Sequence, residues 1–471
     1  MLPALLFGIY PAIYFYTKNI SLVLFPSLGR ILVLYFVLIT IIYTISLVLN
    51  RFDGVKAANA TSVFMLFLNT YGIVYEFILA RDVIGIKHLT FLPFFIFLAV
   101  YLGWWVTRLG KEPSLVIWRV TGIVFLGLII FNLTTIIPAE VHKASLRQAA
   151  RAETPAVQGV ASEGSPDIYY LLFDEFSGLK PMREYWRTPE VDTFKDYLLE
   201  KGFFVAEDSH SVSTSTLRQT AIRLNYYEVP QVLDDKEFYY NLIGNNKAFD
   251  LVKSKGYTTV VFDEVSWLYP AIPEFNVDYL FQMDLEATGD LGLLFDDFGM
   301  LITDNTMMYA FADYYKLEDF GYTPHRNMVI STMDQLANME DIPSPRFIYS
   351  HLMLPHRPYL FDRNGEMLDP ENYKNWDYYE GYWVYTTKII QQIVDSILED
   401  ADPQNPPVII LQSDHGARLH KAAYPLEYRT SILFAMYLPG YDTSTIPQDV
   451  NPANTLKIVF NHYLGENIPL E

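Results

Sequence analysis

The sequence predicts two parts, an N-terminal bundle of α-helical transmembrane segments and a C-terminal α/β sandwich domain with a mainly parallel sheet. Four long apolar runs occupy the first 138 residues. Strand-like and helix-like segments then alternate from residue 166 to residue 471, the order typical of a parallel sheet covered by helices. The charge divides at the same place. Residues 1–140 hold 9 Lys and Arg against 5 Asp and Glu, whereas the remainder holds 25 against 49.

The apolar runs are long enough to cross a bilayer, whose core needs about 20 mostly apolar residues. They are Ile31–Asn50, Thr61–Ala80, Leu89–Thr107 and Leu115–Pro138. A shorter run, Ala4–Tyr16, makes a fifth span if it continues through residues 20–26. We therefore predict a transmembrane domain of about five helices in residues 1–138. The basic residues divide equally between the two predicted sides, so the positive-inside rule does not decide the orientation.

Composition excludes several classes of function. The formal net charge is −20 and no basic run is present, which argues against nucleic-acid binding. The chain contains no cysteine, so disulfides, thiolate metal sites and a cysteine nucleophile are excluded. Residues 139–165 are rich in Ala, Gln, Ser and Gly, and we expect a short juxtamembrane helix followed by a flexible linker. Five spans with a cytoplasmic N-terminus place residues 166–471 outside the cytoplasm.

The predicted elements of the C-terminal part follow from apolar runs and from helix-end signals. The predicted strands are Asp167–Phe173, Thr258–Phe262, Phe347–His351, Val408–Leu411 and Ile432–Leu438. The predicted helices are Pro189–Lys201, Lys247–Lys255, Tyr382–Leu398 and Thr455–Tyr463. Thr188 is the predicted N-cap of the first helix, with Pro189 at its first position and Gly202 at its end.

Acidic side chains follow two of these strands. "VIILQSDHGAR" brings Asp414, His415 and Gly416 to the end of a buried strand, and "PDIYYLLFDEF" ends in Asp174 and Glu175. The carboxyl ends of parallel strands share one edge of the sheet, where open α/β folds bind ligands. Carboxylates and imidazoles are hard or borderline metal ligands, so two such strand ends indicate a shared metal site. Alone, each acid would equally be explained as a helix cap.

Two further stretches supply hydroxyl and imidazole groups. "HSVSTSTLRQTAIRLN" places Thr214, Ser215 and Thr216 at the start of a helical segment. A hydroxyl there either caps the helix or faces an anion held by the backbone N–H groups. "FIYSHLMLPHRPYLFDRNG" places His351 and His356 after another predicted strand. Two histidines beside a proline-bracketed loop are more typical of a functional site than one histidine is.

Taken in order, "PDIYYLLFDEF", "SHLMLPHRPYLFDRNG" and "VIILQSDHG" resemble the alkaline phosphatase and sulfatase superfamily, particularly its membrane-anchored sulfatase-like hydrolases and transferases. The resemblance covers about residues 160–470 and identifies residues 166–471 as a sulfatase-like catalytic domain. It implies one divalent metal ion, Zn²⁺, Mn²⁺ or Mg²⁺, held by carboxylate, imidazole and hydroxyl ligands. By their motif positions, these ligands are Asp174, Thr216, Asp414 and His415.

The resemblance also implies roles in catalysis. Thr216 becomes the nucleophile because it precedes Leu224 and Asn225 by the spacing that the family's helix shows, with Thr214 and Ser215 as alternatives. His356 resembles the family's substrate-contacting histidine.

Residues that follow the Asp-His-Gly motif are candidates to hold a phosphate or a leaving group. Arg418 is the catalytic candidate among them, and His420 is the second. Further candidates for the site are Glu175, Ser215 and His351.

The activity implied by the resemblance is metal-dependent transfer of a phosphoryl group, of the phosphoethanolamine or phosphoglycerol type. A membrane phospholipid would be the donor, and an envelope glycan or lipid the acceptor. The expected location is the bacterial inner (cytoplasmic) membrane, with several spans and a periplasmic catalytic domain. True sulfatase activity is disfavoured, because the Cys- or Ser-x-Pro-x-Arg motif of those enzymes is missing around Thr216. The remaining alternatives are a phosphatase or phosphodiesterase, and an inactive scaffold of an envelope polysaccharide-assembly complex.

Overall fold

The computed structural model describes residues 1–20, 23, 25–79, 87–152, 159–162, 164–227, 229, 236–264, 275–282, 297–315, 318–337, 339, 341–369 and 372–471. The chain forms two compact units. One unit is Met1–Ala144 together with Asp284–Pro324, and the other is Ser145–Met283 together with His325–Glu471.

The helices and strands are numbered here in chain order. The helices are α1 (Leu2–Lys18), α2 (Phe25–Leu49), α3 (Gly54–Leu79), α4 (His88–Thr107), α5 (Lys111–Ala152), α6 (Glu190–Glu200), α7 (Thr216–Asn225), α8 (Lys236–Gly244), α9 (Lys247–Ser254), α10 (Asp297–Asn305), α11 (Tyr309–Tyr315), α12 (Glu318–Ala337), α13 (Tyr379–Glu399) and α14 (Thr455–Tyr463). The strands are β1 (Ile168–Phe173), β2 (Phe204–Val205), β3 (Thr258–Asp263), β4 (Tyr279–Gln282), β5 (Arg346–Leu352), β6 (Val408–Ser413) and β7 (Phe434–Tyr437).

The first unit is helical, and within its described residues four helices are long and apolar enough to cross a membrane. They are α2, α3, α4 and the part of α5 from Lys111 to Val141. By length and composition this unit is therefore a membrane anchor. Helix α1 has 17 residues, fewer than the about 20 that a span needs, so the predicted fifth span stays a prediction. The predicted juxtamembrane helix is the continuation of α5 to Ala152. Residues 153–158 and 163 of the predicted linker lie outside the described residues.

Helices α10 and α11 come from the later part of the chain and pack in this first unit. Phe298 and Ile302 of α10 are buried in the same apolar cluster as the anchor helices. The Met307 amide donates to Leu68 O at 2.9 Å, and the Tyr309 hydroxyl donates to Glu76 at 2.8 Å. The division predicted from the sequence, 1–138, 139–165 and 166–471, does not anticipate this insertion.

The second unit contains a seven-stranded sheet in the order β2-β7-β6-β1-β5-β3-β4. Strand β1 pairs in parallel with β5 and β6, and β3 pairs in parallel with β4 and β5. Only β7 runs antiparallel, to both β6 and β2, among the described strands. Every residue of β1 and β6 is buried, as expected for central strands covered on both faces. The predicted fold class is confirmed.

The register of the central strands decides which side chains meet. Phe173, the last residue of β1, aligns with Ser413 of β6. The next residues, Asp174 and Asp414, therefore leave the sheet side by side. On the other side of β1, Leu172 aligns with His351 of β5. One edge of the sheet thus collects two carboxylates and an imidazole.

Helix ends in this unit lie within three residues of the predicted ones, and the largest difference is that α13 begins at Tyr379 rather than Tyr382. Helix α6 begins at Glu190, and Pro189 rather than Thr188 is its N-cap, without a side-chain capping bond. Pro189 has helical backbone angles, φ −70° and ψ −24°, but the helix itself begins at Glu190, one residue later than predicted. Gly202 and Gly256 follow α6 and α9 with φ of 87° and 82°, the left-handed conformation that glycine adopts most readily after a helix.

Candidate metal centre

Two buried carboxylates form the base of the site. Asp414 Oδ1 accepts hydrogen bonds from the backbone amides of Glu175, at 3.0 Å, and His415, at 2.7 Å. Asp174 is fully buried, and its Oδ2 atom accepts a hydrogen bond from the Thr216 hydroxyl at 3.4 Å. Both carboxylates are thereby fixed with one oxygen turned towards the same space.

His415 presents its Nε2 atom to this space. Its Nδ1 atom lies 2.8 Å from the carbonyl oxygen of Gly416. A carbonyl can only accept, so Nδ1 carries the proton and the Nε2 lone pair is available to a metal. Nε2 lies 3.3 Å from Asp414 Oδ2 and 4.0 Å from Asp174 Oδ1. Glycine is required at position 416, because a Cβ atom there would collide with carbonyl oxygens of the segment 428–431.

Thr216 is the first residue of α7, and its hydroxyl reaches the same cluster. Its Oγ1 atom lies 3.4 Å from both Asp174 Oδ2 and His415 Nε2. Ser215 is exposed and is the N-cap, because its hydroxyl accepts a hydrogen bond from the Arg218 amide. Thr214 is half-buried one residue earlier. The structure therefore brings Thr216 to the carboxylates and leaves Ser215 with the capping role.

His351 of β5 joins the cluster from the other side of β1. Asp174, His351 and Asp414 each offer a ligand atom, and these atoms lie within 4.8 Å of one another. His351 Nε2 is 3.5 Å from Asp174 Oδ2. Burial alone would raise the pKa of Asp174, but the neighbouring imidazoles, those of His356, His351 and His415, hold that pKa well below its usual range. The Asp174 carboxyl is accordingly an anion.

The buried polar atoms of this cluster fit a divalent cation. Asp174 Oδ1, Asp414 Oδ2 and both ring nitrogens of His351 make no hydrogen bond to any described residue. Buried carboxylate oxygens without a partner are unfavourable, which is why buried charges are normally paired or coordinate a metal. Carboxylate, imidazole and hydroxyl ligands suit Zn²⁺, Mn²⁺ and Mg²⁺. The donor set does not select among these ions.

Glu175, Arg418 and His356 form a second layer beside the carboxylates. Glu175 Oε1 accepts from the Arg418 amide at 2.8 Å and from its Nε atom at 3.2 Å. Arg418 Nη2 lies 2.8 Å from His356 Nε2. A guanidinium can only donate, so His356 Nε2 accepts and a neutral His356 carries its proton on Nδ1. That Nδ1 atom is buried and has no hydrogen-bond partner among the described residues.

Backbone geometry turns Glu175 towards Arg418. Glu175 has a φ of 59°, a left-handed conformation that is uncommon outside glycine and often found at functional sites. The hydroxyl of Tyr379, from α13, donates to Glu175 O at 2.8 Å and accepts from the Ser177 amide at 3.0 Å. Helix α13 therefore holds the turn that follows β1.

Two sequence-based candidates lie outside this cluster, Ser215, which caps α7, and His420. His420 is exposed, because the chain alternates after Arg418 and buries Leu419 instead. The candidates that the structure brings together are Asp174, Glu175, Thr216, His351, His356, Asp414, His415 and Arg418.

Sequence reasoning missed two buried groups near the site. Arg223 of α7 donates from Nη2 to the carbonyl oxygens of Ser413, at 2.7 Å, and Asp414, at 3.1 Å. Glu264 follows β3 and accepts from the Met353 amide at 2.7 Å. A sequence signal existed for the second group, since the tripeptide Phe-Asp-Glu ends both "YYLLFDE" and "TVVFDE". Arg223 has no such signal, because its partners are backbone carbonyls.

Comparison with known proteins gives matches only among solved structures. No protein-family model matches the sequence, and no curated protein sequence matches it. A protein of the alkaline phosphatase superfamily from Vibrio parahaemolyticus is similar over 70% of this chain and 79% of its own, with 12% identity and a TM-score of 0.39.

Two further solved structures are similar to this chain. The integral membrane protein lipooligosaccharide phosphoethanolamine transferase A from Neisseria meningitidis is similar over 90% of this chain and 82% of its own, with 15% identity and a TM-score of 0.37. A phosphonate monoester hydrolase from Silicibacter pomeroyi is similar over 64% of this chain and 74% of its own, with 13% identity and a TM-score of 0.41. At these TM-scores, function has to be argued from the site itself.

Proposed function

We propose that this chain is a membrane-bound, metal-dependent phosphoryl-group transferase of the phosphoethanolamine or phosphoglycerol type, with Thr216 as its nucleophile. The observation that carries the proposal is the position of the Thr216 hydroxyl. It is buried at the start of a helix and lies 3.4 Å from both the Asp174 carboxylate and the His415 imidazole, two of the proposed metal ligands. A hydroxyl is a weak nucleophile unless a metal or a base activates it. The backbone N–H groups at a helix N-terminus bind anionic phosphoryl oxygens.

The proposed ligands of the divalent ion are Asp174, Thr216, Asp414 and His415. A bound Zn²⁺, Mn²⁺ or Mg²⁺ ion supplies Lewis acidity, which lowers the pKa of a bound hydroxyl and offsets charge on phosphoryl oxygens. Asp414 and His415 are oriented for this by backbone hydrogen bonds on their other polar atoms. With Asp174, Asp414 and His415 assigned to the metal, Thr216 is the proposed group that forms the covalent bond to phosphorus.

The proposed reaction has two half-steps. Thr216 Oγ forms a bond to the phosphorus of the donor while the bond from phosphorus to the donor's leaving oxygen breaks. The hydroxyl proton of Thr216 leaves to solvent, the leaving oxygen takes a proton from solvent, and the Nδ1–H group of His356 donates a hydrogen bond to that oxygen. In the second half-step an acceptor alcohol attacks the phosphothreonine and loses its proton to solvent, while Thr216 is released and recovers its proton from solvent. Water in place of the alcohol makes the same site a phosphatase or phosphodiesterase.

Arg418 orients His356 in this scheme. Its Nη2 atom holds His356 Nε2, which keeps the proton of a neutral His356 on Nδ1. Burial alone would lower the pKa of Arg418, but Glu175, with Asp174 and Asp414, raises it above its usual value. Arg418 therefore keeps its positive charge and also attracts the phosphoryl group.

The membrane anchor supports a lipid donor. Four helices that can cross a bilayer keep the second unit attached to a membrane, so a membrane phospholipid is the proposed donor and an envelope glycan or lipid the acceptor. The proposed location is the inner (cytoplasmic) membrane of a bacterium, with a periplasmic site. We propose that the active enzyme belongs to an envelope-assembly complex. The alternative is an inactive scaffold of such a complex, which the experiment below can detect.

The decisive experiment compares Thr216→Ala with Ser215→Ala. Full-length protein is incubated with labelled bacterial lipid extract, and turnover and intact mass are measured. We expect Thr216→Ala to lose at least about 1000-fold in turnover and the mass adduct, because the covalent step needs the hydroxyl. Ser215→Ala should keep turnover and lose only a helix cap, about 1 kcal/mol of stability. An adduct on Ser215 or Thr214 would identify that residue as the nucleophile instead of Thr216. Unchanged turnover in Thr216→Ala would disprove the proposed covalent mechanism. Absence of any turnover in the unmodified protein favours the scaffold.

Metal content gives an independent measurement on the same site. In Asp414→Asn the amide oxygen can still accept the two backbone hydrogen bonds, whereas the amide nitrogen cannot bind a cation. We expect this variant to keep its fold and to lose most of its bound metal, as measured by elemental mass spectrometry. Unchanged metal content would contradict the proposed ligand set.

A further inference from the structure

A cavity of about 850 Å³ lies among helices α2, α3 and α4 of the anchor. It is at the end of the bundle where α2 connects to α3 and α4 connects to α5. Its lining comes from the last turns of α2 and α4 and the first turns of α3. A volume of this size accommodates a small amphiphile rather than a few water molecules.

Basic residues line this cavity where α2 and α4 end and α3 begins, the region called its mouth here. Arg51, Lys56 and Arg108 line it, and Asp53 is the one acid in the lining. The Asp53 carboxylate already accepts from the amides of Val55 and Lys56, both at 3.1 Å, which caps α3. The mouth therefore carries a net positive charge, and its one carboxylate, that of Asp53, is hydrogen-bonded to backbone amides.

Away from the mouth the lining is mostly apolar, with Ser46 and Thr61 as its hydroxyl side chains. Ile45 of α2, Phe64 of α3 and Val100 of α4 form this apolar wall, together with the small residue Gly103. These residues belong to helices that are apolar enough to cross a membrane. Trp104 stands beside the mouth with the Arg108 guanidinium 4.7 Å from its ring centroid, an arrangement typical of the membrane interface.

We propose that this cavity binds one anionic phospholipid of the bilayer. The phosphate lies at Arg51, Lys56 and Arg108, and an acyl chain follows the apolar wall. Charge at the mouth and apolar surface away from the mouth match the two parts of such a lipid, and basic pockets between membrane helices are suited to anionic headgroups. The inference depends on the anchor alone, so it stands or falls independently of the phosphoryl-transfer proposal.

The test measures phospholipid binding to delipidated full-length protein by native mass spectrometry. We expect phosphatidylglycerol to bind at least about tenfold more tightly than phosphatidylcholine. The double variant Lys56→Gln/Arg108→Gln should lose about tenfold or more of the phosphatidylglycerol affinity. The matched control is Lys18→Gln/Lys111→Gln, which removes the same charge from residues outside the lining and should keep the affinity. Equal binding of the two lipids, or equal losses in both double variants, would overturn the proposal.

A second variant tests the apolar wall without changing the charge. A Cβ atom at Gly103 would meet the Ala60 carbonyl oxygen at 3.6 Å, an ordinary contact, so the backbone accepts a side chain there. Gly103→Leu then places the rest of its side chain in the cavity that Gly103 lines. We expect this variant to bind long-chain phosphatidylglycerol at least about tenfold more weakly, since the acyl chain is displaced. Retained affinity would place the lipid outside the cavity. Displacement of the lipid by millimolar inorganic phosphate would identify a free-phosphate site, and either result rejects the proposal.

Discussion

Two glutamates that follow strands in the same tripeptide, Phe-Asp-Glu, are partnered differently. Glu175, after β1, accepts from the cationic side chain of Arg418. Glu264, after β3, accepts from two neutral donors, the Met353 amide at 2.7 Å and the Thr332 hydroxyl at 3.4 Å. Burial without a cationic hydrogen-bond donor raises the pKa of Glu264 to about 8. Glu264 is therefore largely a neutral acid at pH 7, although the same sequence context holds Glu175 beside a cation.

This difference predicts how stability depends on pH. The folded-state pKa of Glu264 lies above its unfolded value of about 4.3. Its contribution to the free energy of unfolding is therefore complete below that value and is lost as the pH rises towards 8. We expect the melting temperature of the unmodified protein to fall relative to that of Glu264→Gln between pH 5 and pH 8. The exposed Glu399→Gln is the matched control and should follow the unmodified protein. Parallel melting profiles for Glu264→Gln and the unmodified protein would contradict the raised pKa.

At the scale of elements, helix α7 is attached to the end of β6 by a buried cation. Arg223 is 1% exposed and donates to the carbonyl oxygens of Ser413 and Asp414 and to the side chains of Gln412 and Gln219. Thr216 lies seven residues earlier, two helical turns away on the same face of α7. Arg223 thereby fixes the distance between the proposed nucleophile and the Asp414-His415 turn.

The role of Arg223 as a positioning residue can be tested by substitution. Arg223→Met keeps the length and apolar stem but leaves the two carbonyl oxygens without their donor, which should cost about 3 kcal/mol of stability. We also expect weaker metal binding, because Asp414 and Thr216 are no longer held in register. Arg223→Lys can still reach one carbonyl and should recover part of the metal affinity. A variant that is destabilised but binds metal as tightly as the unmodified protein would assign Arg223 a purely structural role.

Elements with local signals could be predicted from the sequence. All five predicted strands are present, and the parallel ones among them, β1, β3, β5 and β6, end next to the residues of the site. Strands β2 and β4 were not predicted, since they have two and four residues and follow from pairing with longer strands. The positions of Asp174, Asp414 and His415 could be inferred because residues that directly follow parallel strands lie at the same edge of the sheet, the edge formed by the carboxyl ends of the strands. The contact of His351 with Asp174 depends on the register of β5, which the sequence does not reveal.

At the scale of the whole molecule, one feature was beyond sequence reasoning. Residues of α10 and α11 follow β4 in the chain, yet they pack with the anchor helices through bonds such as that from the Met307 amide to Leu68 O. The two helices have 9 and 7 residues, too few to cross a membrane. Their polar residues would instead predict a position on the surface of the catalytic domain. Their partners lie more than 200 residues earlier, so the pairing follows from tertiary contacts rather than from a local pattern.

The orientation of the anchor gives the last prediction, which concerns sidedness. Helices α2 to α5 are four candidate spans, so they return the chain to the side where α2 begins. A spanning α1 then places Met1 on the opposite side from Glu471, whereas a surface-lying α1 places both on one side. We expect five spans with a cytoplasmic Met1. A fluorescent reporter that matures only in the cytoplasm should be active when fused before Met1 and silent when fused after Glu471. Activity at both ends, or at Glu471 alone, would disprove the periplasmic site and with it the proposed access to envelope acceptors.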